Sequence, residues 1–191
     1  MLPPLLALVV LAWARNAGLP WSALGFGRPA SWTRILVVGV PGGIALKLIL
    51  KAVVLPLLGF PALNAHYHYL AGNAAALPGM LLAILVGAGF GEETLFRGFL
   101  FERLGRWLGT SIGARLVILG VSTALFAMVH LPDQGIPGAA QAAVTGLVLG
   151  GVYLATGQLW LPMVLHVVFD LTALALIYGE WEAAVAHWLF R

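Results

Sequence analysis

The chain has 191 residues, 61% of them hydrophobic and only 9% charged, with a formal net charge of +3. A soluble domain carries about a quarter charged residues, so this chain cannot clothe a water-facing surface. Runs that approach or exceed about 18 apolar residues point to a polytopic helical membrane protein, and the alternating ten-residue strands of an outer-membrane barrel are absent. The cations cluster in short loops, where they read as topology signals, and no nucleic-acid partner is expected. There is no cysteine, which excludes disulfides and thiolate metal sites.

In chain order, Leu5 to Trp13 is apolar but short for a span, and its start, Met1-Leu2-Pro3-Pro4-Leu5, lacks the positive residues of a signal peptide. Arg15 to Arg34 is a Gly- and Pro-rich loop with Arg15, Arg28 and Arg34. Ile35 to Phe60 is long enough to cross a bilayer. It carries Lys47 and Lys51, one turn apart, which are expected to face a wet cavity or to snorkel towards the head groups, with a direct role towards substrate as the alternative. Pro61 to Pro78 is a polar interruption with His66 and His68, and Met80 to Phe101 is the next apolar run. Glu102 to Arg115 is a second basic loop. Leu116 to Leu131 is a span, broken by Pro132-Asp133-Gln134-Gly135-Ile136-Pro137-Gly138 and followed by the Gly/Ala-rich span Ala139 to Ala155. Leu159 to Tyr178 is the last span. The tail Gly179 to Arg191, with Glu180, Glu182 and His187, is expected to lie along the membrane surface as an amphipathic helix.

These elements predict an all-α fold: a single membrane domain over residues 1–191, a transmembrane helical bundle of about six spans. The two basic loops fall on one side, which is the cytoplasmic side by the positive-inside rule. The expected location is a multi-pass position in a prokaryotic plasma membrane.

Glu92, Glu93 and Arg97 interrupt the run Met80 to Phe101. Charge at such depth costs about 3 kcal/mol per residue even on mild insertion scales, so it marks function by default. Glu93 and Arg97 are spaced i,i+4 in the favoured order for a helical ion pair, which leaves Glu92 for another surface. Phe126 and His130 repeat the spacing in a second helix, and His166 and Asp170 in a third. An aspartate one turn from a histidine can accept its ring N–H and fix the tautomer. A spare carboxylate, two imidazoles, an orienting acid and an arginine are the equipment for activating a water and stabilising an oxyanion. Glu92, His130 and His166 are also the set that would ligate a divalent metal such as zinc, although no His-Glu-x-x-His signature is present. The same polar groups could serve packing alone, in a non-catalytic immunity or scaffold protein. With Lys47 and Lys51 they could form the relay of a proton-coupled transporter, for which no internal repeat is visible.

Glu92-Glu93-x-x-x-Arg97, Phe126-x-x-x-His130 and His166-x-x-x-Asp170 resemble the motif set of the CPBP family of intramembrane proteases, which includes the type II CAAX prenyl proteases and bacteriocin-processing proteins. The likeness covers a core of residues 80–172, and Leu24-Gly25-Phe26-Gly27 resembles the family's loop before that core. The resemblance implies a polar active site inside the membrane. In it, Glu92 and His130 would activate the water, His166 and Asp170 would stabilise the oxyanion, and Glu93, Arg97 and Phe126 would support the site. It implies a glutamate-dependent endopeptidase, with a catalytic divalent metal as the older view. The implied partners are membrane lipid and a membrane-anchored or lipidated peptide substrate. The family's last motif often ends in Asn, whereas Asp170 donates a hydrogen bond only when protonated.

Overall fold

A computed structural model describes residues 2–190, and among these the chain is helical with no strand. The helices are α1 (Leu2–Asn16), α2 (Trp32–Leu57), α3 (Ala74–Leu108), α4 (Ile112–Thr156), α5 (Trp160–Tyr178) and a short α6 (Glu182–Ala186). Helices α2 to α5 are long and apolar enough to cross a membrane. The 15 residues of α1 reach only about 22 Å, less than a hydrocarbon core of about 30 Å.

Helix α4 is two legs, 112–134 and 136–156, joined at a single residue. Gly135 has φ 65° and ψ −168°, a backbone conformation open essentially to glycine alone. A β-carbon added at Gly146 would lie 3.5 Å from the Thr123 α-carbon, and one added at Gly150 would lie 2.5 Å from Leu119. Those pairings are the register of an antiparallel hairpin folded about Gly135. The break expected over Pro132 to Gly138 is therefore one residue wide. Four helices are therefore of spanning length, five segments with α4 counted as two legs, and α1 is a shorter apolar helix, against about six spans expected.

Helix α5 sits at the centre. A β-carbon at Gly43 of α2 would meet the Leu165 carbonyl oxygen at 2.7 Å, and one at Gly89 of α3 would overlap the Val167 side chain. Small residues thus let both helices close onto α5, as in membrane bundles generally. The distribution of polarity is inverted relative to a soluble protein. Glu93, Arg97, Lys47, Lys51, His166 and Glu182 are buried, while Val37, Leu82, Val117 and Met128 face outwards. Lipid tolerates that apolar exterior.

Two expectations are corrected. Glu102 to Leu108 is not loop: α3 runs on to Leu108, because Glu102 pairs with Arg103 and with Arg106 one turn on. The tail does not simply lie on the surface. Glu182 is buried, its Oε1 2.6 Å from Lys51 Nζ, while its Oε2 accepts the Asn64 N–H at 3.2 Å. Lys51 therefore neither snorkels nor faces a wet cavity, since burial without a counter-charge costs far more than pairing.

Candidate active site

The motif stretch lies midway along α3, where i→i+5 hydrogen bonding runs over Ala83–Glu92 and again over Thr94–Phe99. Such widening is frequent at functional sites. The Thr94 hydroxyl donates back to the Phe90 carbonyl at 2.6 Å, a contact that bends helices. Gly91 lets the start of α1 close on this turn: a β-carbon there would lie 2.8 Å from the Pro4 nitrogen.

Glu93 is the hub of the buried part of the site. Its Oε1 accepts from Arg97 Nη1 at 2.8 Å and from His166 Nδ1 at 2.7 Å, joining α3 to α5. Arg97 is fully buried, and its guanidinium carbon lies 4.3 Å from the Phe126 ring centroid, so the ring face supplies what hydrogen bonding does not. Phe126 also meets the His166 ring edge-on at 5.9 Å and the His130 ring at 4.5 Å. The aromatic position of the second motif is thus a platform on which the arginine and both imidazoles rest.

These contacts revise one expected partnership. The acid hydrogen-bonded to His166 is Glu93. Asp170 Oδ2 stands 3.7 Å from Nε2, too far for a hydrogen bond, and Glu92 Oε2 stands 4.0 Å from the same nitrogen. Asp170, one turn along the same helix, loses the ring N–H to an acid from α3, because Glu93 meets the Nδ1 edge of the ring and is held there by Arg97.

Glu92, His130, His166 and Asp170 line one cavity of about 270 Å³. Glu92 Oε2 is buried in its wall without a hydrogen-bond partner. His130 Nδ1 lies 2.7 Å from the Phe126 carbonyl oxygen, which can only accept, so Nδ1 carries the proton and a neutral ring keeps its lone pair on Nε2. Among the described residues no group of three or more His, Asp or Glu side chains is drawn together as a ready metal site.

The cavity wall also contains residues that motif reading passes over. Tyr67, from the segment between α2 and α3, accepts a hydrogen bond from Gln134 Nε2 at 3.2 Å. Lys47 donates to Gln141 Oε1 at 2.8 Å and lies 4.9 Å from the Phe169 centroid. Gln134 and Gln141 stand one on each leg of α4. Polar residues facing inward from apolar helices were the available signal, but only once the hairpin register is known. His66 and His68 are exposed and outside the cavity. Leu24-Gly25-Phe26-Gly27 braces the start of α5, with the Gly25 carbonyl accepting from Leu159 N at 2.9 Å and the Gly27 carbonyl from Trp160 Nε1 at 2.7 Å.

The fold and the cavity define an integral membrane protein with an acid–imidazole site among its spanning helices. Residues 74–172 match the family described as type II CAAX prenyl endopeptidase Rce1-like. The chain belongs to that family, whose general activity is intramembrane endopeptidase cleavage of a protein or peptide substrate. No curated protein and no solved structure matches the chain.

Proposed function

We propose that the protein hydrolyses a peptide bond of a membrane-anchored or lipidated substrate with water activated by Glu92 and His130. The observation that carries this reading is the convergence of Glu92, His130, His166 and Asp170, from three helices, on one cavity, with Glu92 Oε2 buried and unpartnered. His130 Nε2 accepts a hydrogen bond from one water proton, which stays on the oxygen, and so orients the water. Glu92 takes the other as the water oxygen attacks the scissile carbonyl carbon. The carbonyl π pair moves to oxygen, and His166, acting as the imidazolium with Nδ1–H on Glu93, donates through Nε2 to stabilise that oxyanion. Collapse breaks the C–N bond, and Glu92 returns its proton to the leaving amine. Positioned acid–base groups of this kind contribute about 10²–10⁴-fold, and a preorganised donor to the oxyanion a comparable factor.

Glu93 holds Nδ1 of His166 and so aims Nε2 into the cavity, while Arg97 on the Phe126 face holds Glu93. Asp170, too far to bond the ring, acts on Nε2 by charge and replaces no amide donor. These steps use the side chains alone.

The test is cleavage of a library of membrane-anchored peptides by the reconstituted protein. Glu92→Ala and His130→Ala should each abolish cleavage while leaving the melting transition in place. Cleavage surviving both substitutions refutes the assignments. Activity lost on chelation and restored by zinc would replace this route with a metal-assisted one.

A further inference from the structure

Lys47 has only 5% of its surface exposed, and its ammonium reaches the same cavity as Glu92. It makes no ion pair among the described residues, and its hydrogen-bond partner is the neutral amide of Gln141. An ammonium taken out of water normally recovers its hydration from a carboxylate, as Lys51 does one turn away with Glu182. Lys47 has two further N–H donors and an open volume beside them. The hairpin register sets Gln141 level with Met128, within a turn of His130, and Phe169 adjoins Asp170. This corner is therefore next to the groups assigned to the chemistry, yet takes no part in it.

We infer that Lys47 and Gln141 form an anion-binding corner of the cavity that holds a carboxylate of the peptide substrate close to the bond cleaved. The inference rests on the endopeptidase reading for what enters the cavity. A carboxylate suits the corner because Lys47 offers charge and Gln141, released from Lys47, offers amide N–H donors. The carboxylate belongs either to the peptide's free C-terminus or to an Asp or Glu side chain. Held there, it fixes the distance between that group and the scissile carbonyl, and so the length of the fragment released.

Binding tests this without turnover. The full chain carrying Glu92→Gln is reconstituted in phosphatidylcholine vesicles and titrated with fluorescent, lipid-anchored peptides. These come as the free acid, the C-terminal amide, and Asp/Glu peptides with their Asn/Gln counterparts. One neutralised carboxylate should weaken binding at least about tenfold, and which one it is assigns the source. Lys47→Met should weaken the acid peptide by the same factor and leave the neutral peptide unchanged, whereas Lys47→Arg should keep the preference. Gln141→Leu gives a second, smaller loss should Lys47→Met fail to fold. Equal binding of all the peptides with Lys47 intact, or an undiminished preference in Lys47→Met, overturns the inference. Wild-type protein that binds with carboxylate preference but never cleaves would sink the endopeptidase reading and spare the corner. Cleavage without any preference would do the reverse.

Discussion

Lys51 and Lys47 lie one turn apart on α2, both buried, and are met by different chemistry. Lys51 faces the Glu182 carboxylate at 2.6 Å, and the second oxygen of that carboxylate is taken by the Asn64 N–H. Lys47 faces an amide and an open cavity. The adjacent acids of α3 divide in the same way. Glu93 is tied through Oε1 to Arg97 and His166, although its Oε2 is buried without a partner, while Glu92 makes no hydrogen bond among the described residues. In each doublet one charge is closed within the protein and ties helices together, and its neighbour is left open towards the cavity. A buried charge is costly in either case, but only the closed one recovers that cost on folding. The open one recovers it from a ligand or a reaction.

The largest effects should split along that line. Glu92→Gln should lower cleavage about 10²–10⁴-fold with little change in melting temperature, because it removes a base and keeps the shape. Arg97→Leu should do the opposite first, destabilising the fold by about 3–5 kcal/mol as Glu93 is left buried with its charge uncompensated. Thermal unfolding beside single-turnover cleavage in the same reconstituted samples reads both. If Glu92→Gln unfolds the protein as Arg97→Leu does, the two acids are not divided as argued.

The closed cluster at Lys51 sharpens the comparison through a double substitution. Lys51→Met alone should cost about 3–5 kcal/mol, and Glu182→Met a similar amount, yet the two together should recover most of the loss. Reversible denaturation of the four proteins gives the coupling. A double variant no more stable than the singles would mean that the pair is not what docks α6. Gly135→Ala should cost about 1–3 kcal/mol, from backbone strain at the hairpin joint, and should leave the Lys51 cluster untouched.

What the sequence made legible, and what it hid, follows from range. The helical fold and the Glu93–Arg97 pair are local properties, so hydropathy and spacing were sufficient for them. The Glu93–Arg97 pair forms as its spacing predicts. Partnerships across helices have no such signature. Nothing in His166-x-x-x-Asp170 announces that a glutamate 73 positions earlier takes the ring N–H. Nor does the composition of the tail disclose that Glu182 is the counter-charge of Lys51 across 131 positions.

The smallest expected effect comes from Tyr67, which stands between the two regions. Its segment is tied to the closed cluster, since Asn64 Oδ1 accepts the Tyr67 N–H at 3.2 Å and Asn64 N donates to Glu182. Its phenol lies in the cavity wall and takes the Gln134 N–H. Burial, together with the Asp170 and Glu92 carboxylates, pushes that phenol from an ordinary 10.0 up to about 12. It therefore remains a neutral O–H donor throughout the working range. Tyr67→Phe should cost about 1 kcal/mol, the value of one neutral hydrogen bond, and only a few-fold in cleavage. The sign of its pH dependence separates a buried phenol from an exposed one. Because the folded state holds the proton more tightly than the unfolded chain, its contribution is complete below pH about 10 and is lost as the pH rises through about 12. The stability advantage of the wild type over Tyr67→Phe should accordingly be constant from pH 7 to about 10 and shrink above it. An advantage that does not change across that window would mean that the phenol reaches water, and that the strap between α2 and α3 does not close over the cavity.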